Sequence, residues 1–221
     1  MKLTTRRTRG YPILLDVAEK SCVIVGGGSV AERKVTGLLE AGAHIIVISP
    51  ALTDALSRRA MRGEIAVHRQ AYAAGLLTEL RPLLVFAATN DPAVNRQVVI
   101  EAHKIGALAD AVEANGDRDF STMSAIQRGV ITVGVSTDGA SPALSKHLRT
   151  KLETLIGAEY ATLAAWLDQA RRQVTDKISE ETDRRDMWRA VLESPILDLL
   201  RGGDEPAARA MFDAMLEKAL P

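Results

Sequence analysis

The sequence contains very little cysteine. Cys22 is the one cysteine in 221 residues, so a disulfide within the chain is impossible and a metal site built on thiolates is not expected. Because Cys22 begins an apolar run, we interpret it as a small core residue rather than a reactive thiol. The histidines are scattered without a spaced ligand partner, and we predict no structural metal site. They are His44, His68, His103 and His147.

Three other absences bear on location and partners. No apolar run approaches the roughly 18 residues of a membrane-spanning helix. The basic residues near the start, Lys2 to Arg9, are not followed by the apolar stretch of a signal peptide. The charges balance at 28 basic and 28 acidic residues, so no bulk attraction to nucleic acid or membranes is expected. We therefore predict a cytoplasmic protein that binds neither nucleic acid nor a membrane.

Strand-type and helix-type patterns alternate through the first half of the chain. Apolar residues make up 47% of the sequence, enough for a sizeable core. Short apolar runs separated by helical spacing predict a parallel sheet with helices on both faces, an α/β fold. The predicted strands cover 21–25, 44–49, 64–68 and 83–88, and the predicted helices cover 30–40, 52–62 and 91–104. Asp91 and Pro92 are the N-cap residue and the first-turn proline of the last of these helices.

The second half has a different pattern. One more strand is predicted at 130–135, and Ser141–Pro142 then has the residue types that start a helix, which runs to about residue 156. Beyond that helix the pattern is helical only, with further helix starts at Ser194–Pro195 and Asp204. These changes of pattern predict boundaries near residues 114 and 150.

A glycine-rich turn follows the first predicted strand. Gly26 to Ala31 matches G-x-G-x-x-A, in which Gly26 permits a tight turn, Gly28 lets a pyrophosphate approach the backbone and Ala31 lets the helix pack closely. The amides of the first helical turn, at Ser29 and Val30, attract phosphates together with the helix dipole. The strand before the motif and the amphipathic helix after it favour dinucleotide binding over a merely structural turn.

The remaining predicted cofactor contacts follow two later strands. An NAD-binding unit usually ends its second strand with an acid that holds the ribose, but here Ser49, Pro50 and Ala51 stand there. Ser49 can bond a ribose, and no arginine is present to favour a 2′-phosphate, so we predict NAD rather than NADP. Thr89 and Asn90 follow a buried strand and suit the nicotinamide ribose.

Three motifs in order carry a family resemblance. They are the run Gly26–Lys34 (GGGSVAERK), the segment 87–91 (AATND), and the loop 136–142 (STDGASP) with LRTKLE at 148–153. Together they resemble precorrin-2 dehydrogenase, the dehydrogenase/ferrochelatase part of siroheme synthase. The resemblance extends over about residues 11–155 and loosely over the helical remainder.

The resemblance implies an NAD-dependent oxidoreductase that converts the tetrapyrrole precorrin-2 to sirohydrochlorin. Some members of the family also insert Fe²⁺ to give siroheme, so iron is a possible second substrate. The implied architecture is a Rossmann-type domain (1–113), a dimerisation region (114–150) and a C-terminal helical domain (151–221), assembled as a homodimer.

The oxidation also releases a proton from the ring, which a carboxylate can accept. The resemblance implies a catalytic Asp in a segment like N-V-V-D, and the matching stretch here is Asp110 to Glu113 (DAVE). Glu113 stands at the Asp position and Asp110 at the Asn position, while Asp117 is a third candidate. The alternative is that all three are solvated loop carboxylates.

The loop 136–142 is implied to border the active-site cleft. Ser136, a candidate catalytic residue, and Thr137 occupy its hydroxyl positions, although both are also suited to shaping a turn. The substrate carries carboxylates, so Arg128, Lys146 and Arg149 are candidate clamps, unless they belong to a solvated helix face.

Two other functions compete with this hypothesis. An NAD(H)-sensing regulatory module would show a DNA-reading helix-turn-helix or an acid ending the second strand, and the sequence has neither. An ordinary small-substrate dehydrogenase would show a Tyr–Lys or His–Asp pair, but Tyr160 has no lysine four residues on. The tetrapyrrole enzyme is therefore the leading hypothesis.

Overall fold

The computed structural model describes residues 10–111 and 118–220. The chain divides into two compact units, Met1–Thr122 and Met123–Pro221. The first is an α/β unit, and the second consists of a β-hairpin followed by helices. None of the described helices is long and apolar enough to cross a membrane.

The first unit alternates strands and helices. Its elements are β1 (Ser21–Val25), α1 (Ser29–Glu40), β2 (His44–Ile48), α2 (Asp54–Met61), β3 (Ala66–His68), α3 (Leu76–Leu80), β4 (Leu84–Ala87), α4 (Pro92–Lys104) and β5 (Leu108–Ala111). The strands form one parallel sheet in the order β3-β2-β1-β4-β5. The predicted α/β fold is confirmed, and the strand order reverses between β1 and β4, where open sheets of this kind bind ligands.

Helices cover both faces of this sheet. Side chains alternate along a strand, so Ile24 of β1 packs with Val35 of α1 and Leu56 of α2 on one face. On the other face Val25 packs with Leu77 of α3 and Val98 of α4. Burial on two faces explains why β1 and β2 consist of nearly continuous apolar runs.

A buried carboxylate joins α3 to α4. Glu101, 9% exposed, accepts hydrogen bonds from the Tyr72 hydroxyl, the Gly75 amide (3.0 Å) and the Thr78 amide (3.1 Å). Burial alone would raise the pKa of Glu101, but the hydrogen bonds from Tyr72, Gly75 and Thr78 outweigh it and hold the pKa below its usual value. The carboxylate therefore supplies the acceptor that the N-cap glycine of α3, Gly75, lacks.

The second unit begins with an antiparallel hairpin. Its elements are β6 (Ser124–Arg128), β7 (Ile131–Val135), α5 (Pro142–Leu155), α6 (Glu159–Lys177), α7 (Glu181–Glu193), α8 (Ile196–Arg201) and α9 (Glu205–Ala219). Its main core joins Leu163 and Trp166 of α6 to Val191, Ile196 and Phe212. The rings of Trp166 and Phe212 lie 5.6 Å apart, and this contact holds α9 against α6.

Three described elements were not predicted from the sequence. Strand β5 reads LADA, which has weak strand propensity, and it forms because it pairs with β4 and buries Ala109 and Ala111. Helix α3 is too short to show a helical period. Strand β6 has one buried side chain, Ile126.

The first compact unit extends to Thr122, because residues 119–122 are bonded to β5 and α1. The domain bounds at 113 and 150 stay predictions. The boundary predicted near residue 150 falls inside α5.

Candidate cofactor site

Gly26 begins the turn that connects β1 to α1 at the point where the strand order reverses. Its φ of +124° lies in a region that favours glycine. Its amide donates to Ile48 O at 2.9 Å, and a Cβ at this position would lie 2.3 Å from Ala88 O. The backbone between β1 and β4 is therefore so close that no side chain fits, as the tight-turn prediction requires.

Gly27 is a second constrained position, which sequence analysis missed. A Cβ there would lie 2.0 Å from Ala51 O and 2.8 Å from Ser49 Oγ, and the Thr53 amide donates to Gly27 O at 3.0 Å. The loop after β2 thus lies directly against the glycine turn. The sequence signal for this constraint was Gly27 itself, a third consecutive glycine at a position where the motif accepts any residue.

Gly28 has the opposite surroundings. It is the N-cap of α1 with ordinary extended backbone (φ −89°), it provides no side-chain cap, and no atom lies within 4 Å of where a Cβ would stand. The amides of the first turn, which starts at Ser29 and Val30, have no acceptor within the helix. Open space, donor amides and the positive end of a helix dipole fit the pyrophosphate of a dinucleotide.

The loop after β2 is held by its own hydrogen bonds. Ser49 is buried, and its hydroxyl donates to Ala51 O at 2.7 Å, so it shapes the turn in which it lies. Pro50 and Ala51 are exposed beside the glycine turn. Ribose binding by Ser49, Pro50 and Ala51 stays a prediction, and the donor hydrogen of Ser49 is already used.

A buried amide organises the loop after β4. Asn95 of α4, 5% exposed, accepts from the Thr89 hydroxyl at 2.7 Å and donates to Thr89 O at 3.1 Å. Asn90 is exposed next to Thr89, and Asp91 caps α4 by accepting from the Ala93 amide at 2.7 Å. Sequence analysis predicted the Asp91 cap but missed Asn95. The Asn95 side chain reaches Thr89 only once the loop and the first turn of α4 have folded.

The candidate carboxylates lie in and after β5. Asp110 is largely buried, and its Oδ2 lies 3.0 Å from Lys34 Nζ. Lys34 ends the run Gly26–Lys34, but no contact was predicted for its side chain. The other two candidates, Glu113 and Asp117, lie outside the described residues.

The remaining predicted site residues belong to the second unit. The Ser136 hydroxyl accepts from the Asp138 amide at 3.1 Å, and Thr137 accepts from the Ser141 amide at 3.2 Å, so both shape the loop before α5. Lys146 is exposed on α5. Two arginines have partners within the unit: Arg128 donates to Ile156 O, and Arg149 pairs with Glu153. In the described parts of both units, no group of three or more His, Cys, Asp or Glu could hold a metal ion.

A five-stranded parallel sheet with a glycine turn at its reversal point defines a dinucleotide-binding protein of the Rossmann type. The family model described as "Putative NAD(P)-binding" matches residues 13–124, more than half of the chain. A second model, "Sirohaem synthase dimerisation region", matches residues 159–216, within α6 to α9.

Curated relatives extend the match over nearly the whole chain. Siroheme synthase of Nitrosospira multiformis is 36% identical over 210 residues, which are 93% of this chain and 44% of the relative. Siroheme synthase of Chromobacterium violaceum is 38% identical over 203 residues, which are 92% of this chain and 43% of the relative. The chain therefore spans less than half the length of these relatives.

A solved structure has the same fold. It is SirC, precorrin-2 dehydrogenase, with a TM-score of 0.75, 24% identity and coverage of 93% of this chain and 100% of that chain. The chain belongs to the siroheme synthase family, in the part that carries the NAD(P)-binding and dimerisation regions. The predicted family, fold class and nicotinamide dinucleotide cofactor are confirmed.

Proposed function

We propose that the chain catalyses the NAD-dependent oxidation of precorrin-2 to sirohydrochlorin. The observation that carries the proposal is the match of siroheme synthases to 93% of this chain, which includes a glycine turn built for a dinucleotide. The same match supports a tetrapyrrole substrate. Preference for NAD over NADP is part of the proposal, because no arginine follows β2 at Ser49–Ala51. Cytoplasmic location stays a prediction.

The first unit binds and orients the cofactor in this proposal. The amides of Ser29 and Val30 would hold the pyrophosphate, and Thr89 and Asn90, which follow β4, would contact the nicotinamide ribose. The nicotinamide, when bound, supplies the hydride acceptor. A proton also leaves the ring for a carboxylate of the chain, for which the candidates are Glu113, Asp110 and Asp117.

The second unit supplies the proposed substrate contacts. Lys146 and Arg149 lie three residues apart on α5 and therefore share one side of that helix. Their cationic groups suit the carboxylates of the substrate, as does the Arg128 guanidinium on β6. Ser136 and Thr137 form the loop that leads into α5.

A homodimer is also part of the proposal. Helix α5 has no buried residue, although Leu144, Leu148 and Leu155 are apolar and are 47%, 38% and 65% exposed. A second copy that covers α5 and the hairpin would bury these leucines.

Light scattering on a sizing column tests the dimer. The expected mass is twice the 23.8 kDa of the chain. Leu148→Glu is expected to shift the mass towards the monomer, whereas the exposed control Thr150→Glu on the same helix leaves it unchanged. A wild-type protein that stays monomeric at micromolar concentration contradicts the dimer.

Anaerobic incubation with precorrin-2 and NAD⁺ tests the reaction. NADH and sirohydrochlorin are expected to appear together in equal amounts, and NADP⁺ in place of NAD⁺ is expected to react more slowly. Absence of any NAD-dependent change refutes the proposed function. Sirohydrochlorin with Fe²⁺, compared with a reaction lacking the protein, tests whether iron is also a substrate.

A further inference from the structure

Lys34 connects the cofactor helix α1 to β5, the edge strand of the sheet. It lies in the second turn of α1, and its Nζ is 3.0 Å from Asp110 Oδ2 and 2.6 Å from Thr122 Oγ1. The same ammonium stands over the Phe86 ring, 5.0 Å from its centre. The side chains of Lys34 and Asp110 are only 19% and 13% exposed. The ammonium is therefore held by a carboxylate, a hydroxyl and an aromatic face.

Residues 119–122 are fixed to the same place by independent contacts. The Asp119 amide donates to Ala109 O at 2.9 Å, and the Asp119 carboxylate accepts from the Ala109 amide at 2.8 Å. The Phe120 ring meets the Phe86 ring edge-on at 5.3 Å. Lys34 thus joins α1 both to β5 and to the segment that follows residues 112–117.

These contacts commit the Asp110 carboxylate to the Lys34 ammonium. Loss of the Asp110 charge would leave a largely buried ammonium without its counter-ion, and an unpaired buried charge is strongly unfavourable. The pair also bridges 76 positions of sequence, from the helix that begins at the glycine turn to the carboxyl end of β5. The geometry of the pair suits fixing α1 and β5 relative to each other.

We infer that Lys34 and Asp110 are a positioning pair, which fixes the end of β5 relative to the cofactor helix, and that Asp110 is not the proton acceptor. The role rests on the proposed oxidation of precorrin-2. The proton acceptor is then another carboxylate of the chain.

A double-variant cycle tests the inference on the full chain. The proteins are Lys34→Met, Asp110→Asn and the combined variant, with Lys104→Met as a control for loss of an exposed lysine. Each single variant leaves one buried partner unmatched, and we expect kcat to fall by about tenfold or more while KM for NAD⁺ changes little. The combined variant restores a neutral pair and is expected to recover about tenfold in kcat relative to Asp110→Asn.

A proton acceptor behaves differently. If Asp110 is the base, Asp110→Asn loses about 10²- to 10⁴-fold in kcat and removal of the Lys34 charge recovers none of it. That result would overturn the inference. Lys34→Arg, which keeps the charge, is expected to retain more activity than Lys34→Met.

Urea unfolding of the same proteins gives a readout that does not depend on the substrate. The combined variant is expected to unfold at higher urea than the sum of the two single shifts predicts, because the two residues interact. Additive shifts would contradict the pair even where activity is absent. If the pair is coupled but the wild-type protein does not oxidise precorrin-2, the proposed function has failed and the catalytic role of the pair fails with it.

Discussion

Gly26→Ala and Gly28→Ala alter two glycines of the same turn, and the structure predicts different consequences for them. At Gly26 an added Cβ meets Ala88 O at 2.3 Å on a backbone with φ of +124°. The backbone strain and the overlap each cost roughly 1–3 kcal/mol, so the free energy of unfolding is expected to fall by about 2–6 kcal/mol. That is a large share of the roughly 5–15 kcal/mol that stabilises a typical protein.

Gly28→Ala is expected to keep the fold and to weaken the binding of NAD⁺. Its φ of −89° suits alanine, and no atom lies within 4 Å of the new methyl group. The free energy of unfolding should therefore change by less than about 1 kcal/mol. The methyl occupies the approach of the pyrophosphate, so the Kd for NAD⁺ should rise at least about tenfold, which corresponds to about 1.4 kcal/mol.

Urea denaturation followed by circular dichroism measures the first quantity, and isothermal titration with NAD⁺ measures the second. Gly37→Ala is the matched control, since Gly37 is exposed in the middle of α1 with nothing within 4 Å of a Cβ. It should gain roughly 0.5–1 kcal/mol in stability and leave the Kd unchanged. The reasoning is refuted if Gly28→Ala binds NAD⁺ like the wild type, or if Gly26→Ala is as stable as Gly28→Ala.

Three further predictions concern other parts of the first unit. Burial raises the pKa of Cys22 to about 11, so the native thiol should resist a disulfide reagent near neutral pH and react only in urea; rapid labelling of the native protein would contradict this. Glu101→Gln should cost about 1–3 kcal/mol at pH 7. The pKa of Glu101 is lowered in the folded state, so its contribution to the free energy of unfolding is present above the usual glutamate pKa of about 4.3 and is lost as pH falls below it. The unfolding curves of wild type and variant should therefore converge in acid. A difference that stays constant with pH would refute the assignment. Asp91→Ala should cost about 1 kcal/mol in thermal or urea unfolding through loss of the α4 cap, and no change would contradict the cap geometry.

Local patterns predicted the elements that carry the cofactor site. Strand β1, the glycine turn and the Asp91 cap each depend on residues adjacent in sequence, and the structure has them where the sequence indicates. The limits of prediction appear where a contact spans the fold. Lys34 meets Asp110 across 76 positions, so its role leaves no mark in a short window. Asn95 lies only six positions from Thr89, but its bonds to that loop depend on the turn that leads from β4 into α4.

Ser49 illustrates a second limit. A hydroxyl at the end of β2 is compatible with a ribose and with the turn itself, and composition does not distinguish the two. The structure adds that the hydroxyl is buried and donates to Ala51 O. Strand β5 was missed for a related reason, because alanines form a strand only when neighbours supply the packing.

The contacts of Asp119 have a consequence for self-association of the protein. Strand β5 is an edge of the sheet, and an edge with unpaired amides and carbonyls is a template on which strands of other molecules can assemble. The Asp119 amide donates a hydrogen bond to Ala109 O, and the Asp119 carboxylate accepts one from the Ala109 amide. One residue thus closes the centre of this edge with a main-chain bond and a negative charge, and β3, the opposite edge, is only three residues long. Both edges thus carry features that native proteins use against edge-to-edge pairing.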